Sequence, residues 1–192
     1  MTPTRLLAPL LLPLAVLACA APETAGPPEL VYAPAGTPIR LVNTVDGVES
    51  ETRITASVAR GLRGAFVRAD GTVGSFYPGC WDCGAPAEIE EDLYAALWPL
   101  APGKEVGFLR SAPDGTRARI VISVVGPETV ETEAGRFETW RLAGRMTMLT
   151  GASLTAEVTA WWAPDPGWVV KAEGRDSAGK ILASEVAAFG VP

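Results

Sequence analysis

Residues 38–45 read Pro-Ile-Arg-Leu-Val-Asn-Thr-Val, with Ile39, Leu41 and Val45 on one side of a period-two alternation and Asn43 the exception. Residues 52–59 repeat the pattern, Ile54, Ala56 and Val58 opposing Arg53, Thr55 and Ser57. Alternation of this length predicts strands with one buried face, because successive side chains of extended backbone point to opposite sides. The same reading predicts strands over residues 65–69, 72–77, 104–111, 117–125, 137–149, 154–162, 167–175 and 180–189, with a short addition over 128–132. Asp46-Gly47, Asp70-Gly71 and Asp114-Gly115 mark turns, as do Ala134-Gly135 and Ser177-Ala178-Gly179. One stretch has helical spacing instead. Over residues 87–98, Ile89, Leu93 and Leu97 recur at every fourth position, acids crowd the first turns where the helix dipole favours them, and Pro99 ends it. Nine or ten strands with one short helix predict a mainly β fold, an antiparallel meander forming a curled sheet or half-barrel, not a βαβ arrangement.

The chain before residue 31 lacks this alternation. Arg5 is followed by an apolar run over residues 6–18, about 20 Å long as a helix and short of the roughly 30 Å hydrocarbon core. Pro9 and Pro13 weaken any helix there. One positive charge, a short apolar stretch and small residues at its end predict a secretory signal. Its last residues, Val16-Leu17-Ala18-Cys19, resemble the bacterial lipobox. The resemblance implies a diacylglycerol thioether on Cys19, cleavage before it and an acylated amine. Ordinary cleavage nearby is the alternative, since Ala18-Cys19-Ala20 also fits a small-x-small site. The expected organisation is a lipoprotein signal over residues 1–18, a lipidated cysteine and Pro/Ala/Gly-rich tether over 19–30, and one β-rich periplasmic domain over 31–192. Ala20 beside the cysteine resembles the sorting preference for the outer membrane, which places the domain on its periplasmic face.

Three cysteines are an odd number for an oxidising compartment, and a lipidated Cys19 leaves Cys80 and Cys83 as a pair. A redox centre needs a stabilised thiolate, yet Asp82 lies between the two, and Glu88, Glu90, Glu91 and Asp92 follow; carboxylates raise a thiol pKa. A metal clip needs further ligands, and the chain has no second CxxC and no histidine. A structural disulfide closing a small loop is the favoured reading, bracketed by Pro78-Gly79 and Gly84-Ala85-Pro86 and worth about 2 kcal/mol in loop entropy.

Composition narrows the function. Apolar residues at 48% rule out a disordered chain, and 22 acids against 16 bases disfavour nucleic acid. With no histidine, the serines and threonines lack their usual activating base, and no G-x-S-x-G elbow or phosphate-binding glycine loop occurs. Glu90, Glu91 and Asp92 are read as capping and solvated side chains rather than an acid/base pair. No cofactor, metal site or catalytic residue is expected.

Three stretches carry a resemblance: Leu97-Trp98-Pro99-Leu100 with Gly103-Lys104; Glu133-Ala134-Gly135-Arg136-Phe137-Glu138-Thr139; and Trp161-Trp162-Ala163-Pro164-Asp165-Pro166-Gly167-Trp168-Val169-Val170-Lys171. Over roughly residues 97–189 the chain resembles exported bacterial proteins of poorly assigned function. Those resemble, at greater distance, the lipoprotein-carrier half-barrels, which implies a curled antiparallel sheet around an apolar groove. Trp161 or Trp162 is expected to meet Trp168 across its hairpin, and Gly135 to supply positive φ in a turn. The resulting expectation is a non-enzymatic, lipid-anchored periplasmic domain that binds an envelope partner. A carrier of an apolar ligand or lipid is the alternative, and a thiol-disulfide protein using Cys80 and Cys83 the second alternative.

Overall fold

A computed structural model of the protein describes residues 28–80, 83–84, 86–151 and 153–190. The signal, Cys19 and the tether as far as residue 27 lie outside the described residues. Eleven strands and one short helix follow in chain order. The first four strands are β1 (Pro38–Val45), β2 (Val48–Arg60), β3 (Arg63–Arg68) and β4 (Val73–Phe76). After a crossover come β5 (Glu88–Ile89), helix α1 (Glu91–Ala95), β6 (Glu105–Ser111), β7 (Arg117–Thr132) and β8 (Gly135–Met148). The chain closes with β9 (Thr155–Ala163), β10 (Trp168–Asp176) and β11 (Ile181–Phe189).

All eleven strands form one antiparallel sheet in the order β4-β3-β2-β1-β11-β10-β9-β8-β7-β6-β5. Every neighbour is sequential except β1 with β11, so the chain is a meander whose two halves join at its ends. β1 is flanked by β2 and β11, opposing Ile39 to Ile54 on one side and to Phe189 on the other.

The sheet curls until its two edges approach each other. Strands in a flat sheet lie about 4.8 Å apart, so β10 and β4 would be separated by roughly 24 Å. Yet the Trp168 ring of β10 lies 4.5 Å from the Phe76 ring of β4. At the far edges, Arg63 Nη2 of β3 stands 3.6 Å from Glu91 Oε1 of α1. The barrel nevertheless stays open, because side chains bridge the gap and no backbone ladder joins β4 to β5.

Two apolar clusters form the core. One combines Ile120, Ile122 and Val124 of β7 with Leu142, Phe108, Tyr94, Leu97, Leu100 and Trp162. The other joins Ile39, Ile54, Val170 and Val186 to Trp161, Trp168 and Val130. Val130 reaches it because a bulge between Val124 and Gly126 bends β7. The β7–β8 hairpin tip then docks on β11, where Ala134 N donates to Val186 O and Glu133 N to the Glu185 carboxylate.

Three sequence expectations need correction. The helix expected over residues 87–98 is the five-residue α1, and Glu88–Ile89 pairs with Arg110 and Ser111 of β6 instead. Glu90 extends this edge: its N–H donates to Leu109 O, and its carboxylate accepts the Leu109 N–H at 2.8 Å. Strand partners therefore override the local helical spacing, and Leu93 faces solvent. The addition over 128–132 is the continuation of β7. Finally, Trp168 lies opposite Ala163, and Val169 opposite Trp162, with a bulge before Lys171. The tryptophans accordingly turn elsewhere, Trp162 to Tyr32 and Trp98, and Trp168 to Phe66 and Phe76.

Candidate binding groove

The concave face has a filled half and an open half. The described residues of the β4–β5 connection, 77–80, 83–84 and 86–87, run across it and fill the side formed by β6–β8. Small residues allow the close approach. A Cβ on Gly144 of β8 would stand 2.6 Å from Gly79 O, and one on Gly79 would stand 3.1–3.2 Å from Leu142 and Ile122. Gly79 also has φ 77°, so glycine suits it on both counts. Tyr94 Oη donates to Pro78 O at 3.1 Å and holds the crossover from α1.

Cys80 and Cys83 lie on this crossover and are joined as a disulfide, with Cα atoms 5.6 Å apart. Cys83 is fully buried in the core, whereas Cys80 is half-buried and faces the open half of the concavity. The nearest helix starts at Glu91, so neither sulfur caps a helix N-terminus.

On the other side of the crossover lies a groove of about 350 Å³. Its walls are apolar: Leu41, Ile54, Phe66, Phe76, Val158 and Trp168 come from six different strands. Two cross-strand pairs shape the aromatic wall. Gly64 opposes Phe76, and Phe66 opposes Gly74, and in each pair the ring lies over the glycine where no Cβ fits. Asn43, Thr52 and Ser184 add polar atoms along the lining, and Asn43 Nδ2 donates to Thr52 Oγ1 at 3.0 Å. Asn43, the exception to its strand's apolar pattern, thus lines the concave face. Arg68 stands exposed at the rim, its guanidinium carbon 5.1 Å from the centre of the Phe66 ring.

A polar clasp closes the rim where the sheet edges meet. Tyr77 Oη donates to Glu91 Oε1, and Arg63 Nε donates to Tyr77 Oη at 3.0 Å. Glu91, expected from sequence as a solvated capping residue, is therefore the acceptor at the centre of this clasp. Burial raises the Tyr77 hydroxyl above its ordinary pKa, and the bond to Glu91 adds to the shift. Burial likewise raises Tyr32 and Tyr94. Tyr32 Oη donates to Leu62 O at 2.6 Å, fixing the incoming chain against the β2–β3 turn.

Of the residues singled out from sequence, the structure joins Cys80, at the groove wall, to Cys83 in the core, and Cys19 lies outside the described residues. It also adds lining residues that sequence reasoning did not name. Their signal was visible strand by strand as the apolar side of each alternation, but only the curl assembles them.

No protein-family model matches the chain, and no curated protein is significantly similar to it. Solved structures do share its shape. A lipoprotein, provisionally so described, from Parabacteroides distasonis superposes with a TM-score of 0.51 at 13% identity, covering 84% of this chain and 98% of its own. An exported protein, also provisionally described, with a YmcC-like fold from Bacteroides fragilis gives 0.49 at 16% identity, covering 84% and 99%. The hypothetical lipoprotein YmcC from Escherichia coli gives 0.49 at 11% identity, covering 81% and 88%. At such identities the Parabacteroides likeness shows a common fold, in keeping with the exported β proteins that the sequence motifs resemble.

Proposed function

We propose that the protein is a lipid-anchored, non-enzymatic binding module of the cell envelope, and that the open half of its concave face takes an apolar ligand. The observation that carries this reading is the 350 Å³ groove, left unfilled while the protein's own crossover packs the other half. A volume of several hundred Å³ with apolar walls and a few polar atoms is the usual make-up of a small-molecule site. Asn43, Thr52, Ser184 and Arg68 supply hydrogen bonds, and none of them is a general base at neutral pH.

The address rests on Cys19. Its lipobox context, and the lipoproteins among the structures of similar shape, support anchoring by acyl chains; the residue beside it favours the periplasmic face of the outer membrane. Intact-mass analysis of protein taken from the envelope should show a triacylated N-terminus at Cys19. Native mass spectrometry of the same protein should show an apolar small molecule retained in stoichiometric amount. An unmodified Cys19 sinks the anchoring, and repeated absence of any retained or added apolar ligand sinks the binding role. The disulfide is read as a staple that fixes the groove wall. A thiol oxidoreductase in its place requires a reactive Cys80 after mild reduction, together with loss of activity in a Cys83→Ser variant that keeps its stability.

A further inference from the structure

The groove has a chemical polarity that its apolar walls alone do not convey. Although the chain carries 22 acids and 16 bases, no carboxylate lines the groove among the described residues, and the one charged side chain among them is Arg68. Arg68 opposes Ile54 across β2 and β3, which directs it to the concave face. On the adjoining strands, Arg40 and Arg53 are each tied to Glu51 at 3.4 and 2.8 Å. Arg68 has no carboxylate within 4 Å among the described residues; its one hydrogen bond is a long one, 3.5 Å from Nη1 to Thr72 Oγ1. The nearest acid in sequence, Asp70, is hydrogen-bonded by the Thr72 hydroxyl and N–H at 2.6 and 2.9 Å, and it feels the charge of Arg68 only as a weaker, unbonded attraction. The guanidinium therefore rests on the Phe66 ring with most of its donors free, beside the aromatic wall that an apolar body would touch.

We infer that the ligand of this groove is a single-chain anionic amphiphile, a long-chain carboxylate, and that Arg68 is the residue selecting its head group. The inference rests on the groove being a binding site and adds the class of ligand. Three features support it. A guanidinium fork matches a carboxylate with two parallel hydrogen bonds, and its stacking on Phe66 orients the fork at little entropic cost. A groove of 350 Å³ has the room of about a dozen waters, roughly one methylene each, which suits one acyl chain rather than two. Among the described residues, no acid lines the groove to oppose the head group.

The test uses the chain from residue 19 onward with Cys19→Ser, so that no acyl group of its own competes for the groove. Its binding of dodecanoate, dodecanol and dodecyl phosphate is measured by titration calorimetry below their critical micelle concentrations. Dodecanoate is expected to bind about five- to tenfold more tightly than dodecanol at low salt, and added salt should narrow the gap. Arg68→Gln should abolish the preference, bringing the affinity for dodecanoate down to that for dodecanol. Arg68 is exposed, so the variant is expected to fold, and an unchanged urea midpoint confirms that it has. Equal affinity for dodecanoate and dodecanol in the parent chain overturns the inference and leaves the groove as an apolar site. A preference that survives Arg68→Gln overturns the role of Arg68. Tighter binding of dodecyl phosphate by tenfold overturns the carboxylate. Binding of none of the three overturns both this inference and the binding role beneath it.

Discussion

If the crossover lies directly on β8, then replacing Gly144 by alanine must push the two apart. The added Cβ would stand 2.6 Å from Gly79 O and 2.7 Å from Val158 Cγ1. Neither neighbour retreats freely: Gly79 belongs to a backbone held by Tyr94 at Pro78 and by the disulfide at Cys80, and Val158 is a β-branched residue in a paired strand. Overpacking of this kind costs about 1–3 kcal/mol. Against it stands the gain of about 0.5–1 kcal/mol from removing a flexible glycine inside a strand. The net expectation is a loss of about 1–2 kcal/mol, or roughly 2–4 °C in Tm per kcal/mol for a chain of this size. Gly107 of β6 is the matched control, because its added Cβ would meet nothing closer than 3.8 Å. Gly107→Ala should therefore be neutral or stabilising by about 0.5–1 kcal/mol. Urea unfolding of both variants, followed by tryptophan fluorescence, measures the difference. If Gly144→Ala proves as stable as Gly107→Ala, the crossover does not rest on β8, and the division into filled and open halves falls with it.

Three further outcomes follow from the same contacts. All three tyrosines of the chain, Tyr32, Tyr77 and Tyr94, have hydroxyl pKa values raised above 10.0, chiefly by burial. Their folded pKa values exceed the unfolded ones, so the stability they contribute is complete below pH 10 and lost as pH rises further through the folded values. Tyrosinate absorbance should accordingly appear above pH 10 and in step with unfolding; a tyrosine titrating normally in the folded protein refutes that burial. Replacing both Cys80 and Cys83 by serine should cost about 2 kcal/mol, and reduction of the parent should cost the same; an unchanged urea midpoint shows that the loop is not held by the bond. Glu91→Gln should weaken the clasp by removing the charge that faces Arg63, speeding hydrogen exchange at the β2–β3 turn before that of β7, whereas uniform exchange across the sheet places the clasp outside the rim.

The alternation along the chain determined the elements. Strand existence, the hairpin turns and the antiparallel class follow from side-chain period and turn chemistry, both of which act between residues close in sequence. The spacing of Cys80 and Cys83 inside a Gly/Pro-rich loop likewise pointed to a local staple. What sequence period misjudged was the edge. The fourfold spacing of Ile89, Leu93 and Leu97 is a genuine helical signal, but Leu109, Arg110 and Ser111 of β6 offer Glu88–Glu90 strand partners, and that distant contact outweighs a marginal five-residue helix. Trp168 shows the same limit: the sequence placed it in a hairpin with Trp161 and Trp162, while register and a bulge turned it toward Phe66 and Phe76. The groove was beyond sequence altogether. Leu41, Ile54, Phe66, Phe76, Val158 and Trp168 are each ordinary core-side residues of separate strands, and only the accumulated twist and curl of eleven strands brings them around one space. Which half of that space stays open was decided by where residues 77–80 cross it, a choice set by the paired small residues Gly79 and Gly144 that meet only in the folded chain.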